Sequence, residues 1–306
     1  MAATESTRLD GLPAPASRRR WGLAAITPAS RYYWVRLMLE KPAVLISLGF
    51  LILVFLLGIL SPAIAPYDPE EVNPIARLQG PSSDHWFGTD DLGRDVFSRA
   101  LYGARISLFV GVTVMIGGTL LGSTIGLLAG YYWRIDTVLM RVMDGLEAFP
   151  SILLAIAIMA TFGSATRNVI FALAVVFTPN IARLVRSTTL MNREQVYVES
   201  ARAIGMSDLP ILVKYIFMNS LSPLIVQATF VIAFAILAEA SLSFLGAGVP
   251  PDTPTWGGMV SSGQPRLQQA WWISVFPGAL LFATVLTFNL IGDGLRDALD
   301  PRSRRR

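Results

Sequence analysis

Few side chains here can do chemistry, and their types narrow the field. The 306 residues include no cysteine and one histidine, His85. Thiolate nucleophiles, disulfides and cysteine metal sites are excluded, and one imidazole alone does not make a zinc site. His85 reads as a turn residue packed beside Trp86. No GxxxxGK[ST] segment occurs, so the chain has no P-loop of its own for a nucleotide's phosphates. Asp90, Asp91 and Asp95 cluster, but not at EF-hand spacing. With Arg94 among them, they read as a folded loop pinned by pairs such as Arg94 with a nearby Asp. Glu239 lies inside a long apolar run, where an ionisable group is costly and faces either the protein interior or a water-filled path. Glu239, Ser241 and Ser243 are therefore candidate pathway residues. The alternative for Glu239 is a structural hydrogen bond to one of those serines. An ion-coupled carrier would show several such carboxylates, and an enzyme would need a nucleophile, base or metal constellation; neither pattern is present.

The elements that must position these residues are membrane helices. The chain is 53% hydrophobic and 15% charged, against about 25% charged in soluble domains. A helix needs about 20 apolar residues to cross the bilayer core. Windows free of charge fall between Lys41 and Asp68, Arg105 and Arg134, Ala148 and Thr166, Arg167 and Arg183, Lys214 and Glu239, and Arg266 and Asp293. They predict an all-α integral membrane protein with six transmembrane helices. The third is expected to begin near Thr137, the fifth to begin at Pro223, and the fourth to be short and interrupted by Pro179. Arg141 and Asp144 are spaced as an i,i+3 pair. Gly118, Gly122 and Gly126 repeat at four-residue intervals and suit close helix packing, within this chain or against another.

Lys and Arg concentrate in cytoplasmic segments. With the N-terminus inside, 19 of the 25 basic residues fall inside. Both termini are thus expected in the cytoplasm. The stretch before the first apolar run lacks the form of a cleavable secretory signal. Residues 1–41 form a cytoplasmic tail, 42–66 the first span, 67–103 an outer loop, 104–298 a transmembrane core with a long inner loop at 187–222, and 299–306 a second tail.

That inner loop is rich in local signals. Asn192 with Gln195 resembles a capping box, which would start a helix over Arg193–Ile204 with Tyr197, Ala201 and Ile204 on one face. Gly205 would end it in a left-handed conformation. Ser207 would cap a second helix, and Ser222 with Pro223 would start a third. Three readings fit such a unit: a connector on the membrane surface, a helix-turn-helix binding DNA through Arg202, or a docking element. In the last, Ser200, Ala201 and Ala203 admit a partner surface and Glu199 and Arg202 charge its rim. The closely flanking spans argue against DNA.

The stretch Tyr197-Val-Glu-Ser-Ala-Arg-Ala-Ile-Gly205, followed by Asp208, Pro210 and Ser222-Pro223, resembles the EAA loop of bacterial ABC importer permeases. Glu199, Ala201 and Gly205 match; Ser200 stands for the first alanine. The segment His85-Trp-Phe-Gly-Thr-Asp-Asp-Leu-Gly-Arg-Asp95 with Ser98-Arg99 is similar to the loop signature of the dipeptide, oligopeptide and nickel (DppC/OppC-like) branch. Ala238–Gly246 and Phe288–Asp297 are typical of it too. The resemblance covers roughly residues 35–301. It implies a type I (MetI-like) transmembrane domain in the bacterial inner membrane. Its partners would be a second, DppB/OppB-like permease, two ABC ATPase subunits and an extracytoplasmic solute-binding protein, in a lipid bilayer and without nucleic acid. Glu199, Ser200, Ala201, Arg202, Ala203, Gly205 and Asp208 would couple to the ATPases. His85, Asp90, Arg94 and Asp95 would build the outer loop. No cofactor is expected on this chain; ATP and Mg would sit on the ATPases. Members of the branch carry dipeptides, oligopeptides, glutathione, nickel chelates or some oligosaccharides, and peptides are the expected solute.

Overall fold

The computed structural model describes residues 38–299, so the expectations for most of the two tails lie outside the described residues. Helix α1 (Pro42–Ile64) buries Val44, Ser47, Leu51, Val54, Gly58 and Ser61, alternating three and four residues apart. This narrow seam packs inward, while Ile46, Ile52, Ile59 and other apolar side chains are exposed. Such a surface suits lipid and not water. Helix α2 (Val96–Tyr131) has 36 residues, about 54 Å at 1.5 Å per residue. Asp95 caps it, its carboxylate accepting from Ser98 N at 2.7 Å.

Then come α3 (Trp133–Glu147), α4 (Ser151–Phe162), α5 (Thr166–Arg193), the short α6 (Val196–Ala203), α7 (Asp208–Phe244), α8 (Trp256–Gly263) and α9 (Trp272–Leu299). Among the described residues five helices, α1, α2, α5, α7 and α9, are long and apolar enough to cross a membrane. The predicted third span is not one straight helix: α3 and α4 meet at 92°. The break centres on Phe149-Pro150. Proline drives the residue before it out of the helical region, and Pro150 itself is extended at ψ 129°. Helix α4 alone is 12 residues, about 18 Å, too short for a core of about 30 Å. Taken together, the bent pair is apolar enough to count as a sixth span.

Pro179 and Pro223 behave in the opposite way. Helix α5 runs unbroken through Pro179 for 28 residues and is the most buried of the spans. Thr178 Oγ1 donates to Ala174 O at 2.7 Å beside the proline. Helix α7 passes through Pro223 without restarting, after a wider π-helical stretch at Ile211–Phe217. A π turn is a recognised way to absorb helix irregularity. No new helix starts at Ser222-Pro223: the helix that carries the fifth span begins at Asp208.

The tightest pairing is α2 with α5. A Cβ on Gly122 would stand 2.6 Å from Ile181 Cβ, one on Gly126 2.5 Å from Ala182 O, and one on Gly130 2.6 Å from Thr189 Cβ. The small-residue stripe thus serves packing within this chain. Helix α1 crosses α2 where a Cβ on Gly58 would meet Arg105 N at 3.1 Å. Ile232, Ile236, Phe288 and Ile291 join α7 and α9 to that crossing. Lys41 pairs with Asp297, so α1 starts and α9 ends at the same face.

At that face α3 is bound to α5 by charge. Arg186 donates to both oxygens of Asp136, at 2.6 and 2.5 Å, and Arg183 pairs with Asp144 (2.7 Å) and with Glu147. The Arg141–Asp144 pairing read from i,i+3 spacing does not form; Asp144 is taken by a neighbouring helix.

Gly126→Leu should lower the thermal midpoint of the detergent-solubilised protein, with a loss of about 3 kcal/mol from overpacking against backbone. Gly49→Leu, where a Cβ would meet nothing within 4 Å, should leave it unchanged. Equal midpoints for the two variants would contradict the packing described.

Candidate functional site

The 194–207 region gathers the residues singled out for coupling, though not in the predicted way. Helix α5 extends through Arg193, so Asn192 lies inside it and caps nothing; its side chain instead accepts from the Tyr197 hydroxyl at 3.1 Å. Gln195 occupies the N-cap of α6 without a side-chain capping bond, and so does Ser207 at the start of α7. The buried face of α6 is Val198 and Ala201, packed with Tyr131, Ile211, Leu212 and Ile216. Of the expected face, Ile204 points outward, while Tyr197 lies along Tyr215 with its hydroxyl between Asn192 and Asn219. Gly205 adopts φ +80°, a conformation that costs a side-chain-bearing residue about 1–2 kcal/mol. No atom lies within 4 Å of a Cβ built there, so backbone alone selects glycine.

On the outer side of α6, Glu199, Ser200, Arg202 and Ala203 are exposed. Around them stand bare apolar groups: Val196 (75% exposed), Ile204 (78%) and Leu209 (70%). An exposed apolar patch rimmed by charge is the usual form of an interaction surface.

Asp208 belongs elsewhere. Its carboxylate accepts from the hydroxyls of Tyr131 (2.7 Å) and Tyr132 (3.0 Å), and the Arg202 guanidinium lies 5.2 Å from the Tyr131 ring centroid. Arg193 donates to Gly130 O (3.0 Å) and Tyr131 O (3.4 Å), two of the carbonyls left unpaired where α2 ends. Sequence reasoning missed Tyr131, Tyr132 and Arg193. They lie more than 60 residues from their partners or in a neighbouring helix, and no local pattern links them.

At the opposite face, residues 65–95 fold into a compact cap. Asp90 is its pivot. One oxygen accepts from Leu92 N and Arg94 N, both at 2.9 Å; the other accepts from Arg94 Nε at 2.7 Å, with Arg99 Nε at 3.9 Å. The expected Arg94–Asp pair is thus present. His85 is not packed by Trp86: its Nδ1 is 2.9 Å from Asp95 Oδ1, and its ring lies 4.8 Å from that of Tyr67. Trp86 meets Phe97. Gly93 at φ +78° comes so close to Asn73 that no Cβ fits. Trp272, at the start of α9, donates to Thr89 O at 3.0 Å and locks the cap onto the bundle. Ile75, Val72 and Trp86 remain exposed on it.

The three candidate pathway residues do not share a surface. Glu239 is 0% and Ser243 8% exposed. Ser243 donates to Glu239 Oε1 at 2.8 Å and Ser107 to Oε2 at 3.4 Å, joining α7 to α2. Ser107 in turn accepts from Trp256 N at 3.4 Å, which ties in α8. Ser241 lies on another side of α7 and donates to Leu237 O. This geometry makes Glu239 a brace between helices, with no surface to offer a solute.

Asp90→Ala would strand Arg94 and Arg99, both largely buried. Breaking such a pair costs about 3–5 kcal/mol. The cap should then become sensitive to limited proteolysis between residues 65 and 95 while total helix content by circular dichroism holds. A cap as resistant as wild type would rule out Asp90 as its pivot.

Comparison with known proteins matches this geometry to a family. The model described as "Binding-protein-dependent transport system inner membrane component" matches residues 118–305. A second, "N-terminal TM domain of oligopeptide transport permease C", matches 31–81. The dipeptide transport system permease protein DppC of Alkalihalophilus pseudofirmus is 48% identical over 250 residues, 81% of this chain and 82% of the relative. The glutathione transport system permease protein GsiD of Escherichia coli O6:K15:H31 is 47% identical over 273 residues, 88% and 89% of the two chains. Among solved structures, an inward-facing form of the MetNI methionine ABC transporter aligns with TM-score 0.56 over 66% of this chain and 96% of that one, at 18% identity, a likeness of fold. The helical core that carries α6, together with the N-terminal span before it, thus places this chain in the family of binding-protein-dependent transport system inner membrane components.

Proposed function

We propose that this chain is one of two permease subunits of an ATP-driven importer for peptides, with α6 as the helix through which cytosolic ATPases move it. The observation that carries the reading is α6 itself. Its inner face is fixed to α2 and α7, while Val196, Ile204 and Leu209 are left bare beside small and charged residues. A helix held from behind and apolar in front is built to take a load from a partner.

The partners in this reading are two ABC ATPases holding ATP and Mg, a second homologous permease, and an external solute-binding protein that meets the 65–95 cap. The N- and C-termini lie in the cytoplasm. The excess of basic residues on that side supports the orientation; the Lys41–Asp297 pair supports only that the start of α1 and the end of α9 share a face. ATP binding would draw the ATPases together, carry α6 with them and open a path between the two permeases outward. Hydrolysis would reset it inward. Peptides are favoured as solute because the relatives are named for dipeptides and for glutathione, itself a peptide. In the ATP-driven reading no ionisable group on this chain needs to move protons or ions, in keeping with the sealed position of Glu239.

The test uses the complex purified with its own subunits and reconstituted in lipid. Wild type should hydrolyse ATP, faster with peptide-loaded binding protein. Gly205→Asp, forced to hold φ +80° with a branched charged side chain, should lose transport by about tenfold or more, the scale of ordinary coupling between sites. Absence of any co-purifying ATPase, or a Gly205→Asp complex that transports as well as wild type, would overturn the proposal.

A further inference from the structure

The groups that fasten α6 from behind differ in kind from those on its outer face. Helix α6 joins the bundle by chain at two points: residues 194–195 lead from α5, and 204–207 lead to α7. The second link turns at Gly205, left-handed with open space around it, and is closed by Gly205 N and Met206 N donating back to Arg202 O and Ala201 O. The apolar packing of Val198 and Ala201 holds α6 to α2 and α7 but carries no directional bond across that turn. Asp208, the first residue beyond it, is held across the gap by the end of α2. Its two oxygens take one hydroxyl each, from consecutive tyrosines whose rings stand at 86° to one another. Two donors arriving from different directions fix the carboxylate against rotation as well as translation. A single hydrogen bond would leave it free to pivot. Arg202, on α6, lies over the Tyr131 ring, and Arg193, at the end of α5, grips the terminal carbonyls of α2. Three helices, α5, α6 and α7, thus converge on the end of α2, and of the groups involved only Arg202 also reaches the outer side of α6.

We infer that Tyr131, Tyr132 and Asp208 form a clasp that makes α2 and α7 follow α6 as one body, and that Asp208 is a positioning residue acting through the tyrosines, not a contact for the ATPase. The inference rests on the importer reading above. It gives a route for the stroke: from α6 through the Tyr131 ring and the clasp into α2, and from α2 along its glycine stripe into α5. Loss of the clasp leaves the partner free to turn over while the bundle lags behind. The effect should therefore appear in the number of ATP molecules spent per solute, a ratio that simple destabilisation, which removes active complexes, does not alter.

The experiment uses the full complex in proteoliposomes, with ATP hydrolysis and uptake of a radiolabelled dipeptide measured on the same preparation. Tyr131→Phe/Tyr132→Phe removes two hydroxyls and keeps both rings, so the packing against Val198 and Ala201 remains. Its ATPase rate should persist and its uptake fall, raising the ratio about tenfold. Adding Asp208→Ala to that pair should change the ratio no further, because the three groups act as a unit. If the double variant does not assemble, Tyr132→Phe alone, at the exposed edge of the clasp, should raise the ratio by a smaller factor. A wild-type ratio in these variants overturns the clasp, and so does a further rise when Asp208→Ala is added. If wild type itself brings no ATPase through purification, the importer reading fails instead, and the two failures are told apart.

Discussion

The close approach of α2 and α5 governs the rest of this molecule. In hydrocarbon there is no water to expel between apolar helices, so association depends on packing and on backbones coming near. Gly118, Gly122, Gly126 and Gly130 make that approach possible, with Ile181, Ala182, Val185 and Thr189 filling the groove. Once α5 is seated, Arg193 at its end reaches the last carbonyls of α2, and Arg183 and Arg186 reach the acidic side chains of α3. The opposite sides of α2 receive α1 at Gly58 and α7 at Gly111, where a Cβ would stand 2.6 Å from Ile236. A single long helix, small on one stripe, is thereby the common neighbour of most of the bundle.

Polar groups within the bundle act as joints. Glu239, costly at such depth unless partnered, accepts from Ser107 and Ser243 and so links helices far apart in sequence. Thr188 donates to Ser220 at 3.0 Å between α5 and α7. At the face bearing α6 the joints are charged, and they hold α3 in place despite the break at Pro150. Paired across helices, these groups offset their own desolvation and specify which helices meet.

The two faces differ in stiffness for reasons of residue type. The 65–95 cap is tied through a buried carboxylate, two arginines and Trp272, so it can present a fixed surface. The segment around α6 has a helix of eight residues, a left-handed glycine and a set of bare apolar side chains. It is anchored on one side and open on the other. A device that must receive a partner and pass on its movement needs that asymmetry.

Hydropathy alone was enough to reveal a membrane protein and the places of its long apolar helices, because the cost of leaving apolar groups in water and backbone groups in lipid is local. The left-handed Gly205 and a pairing of Arg94 with a nearby Asp were legible for the same reason, as both act within a few residues; the structure selects Asp90. Prolines were not legible. Pro150 breaks its helix, whereas Pro179 and Pro223 are carried through theirs, and the difference lies in what packs around each one. The partners of Asp144 and Asn192 could not be read either, since local spacing offered candidates, Arg141 and Gln195, that residues of neighbouring helices displaced. Tertiary structure alone decided that Glu239 is sealed inside the bundle and that Asp208 faces two tyrosines more than 70 residues away. Such contacts follow from how whole helices cross, and no short stretch of sequence holds that information.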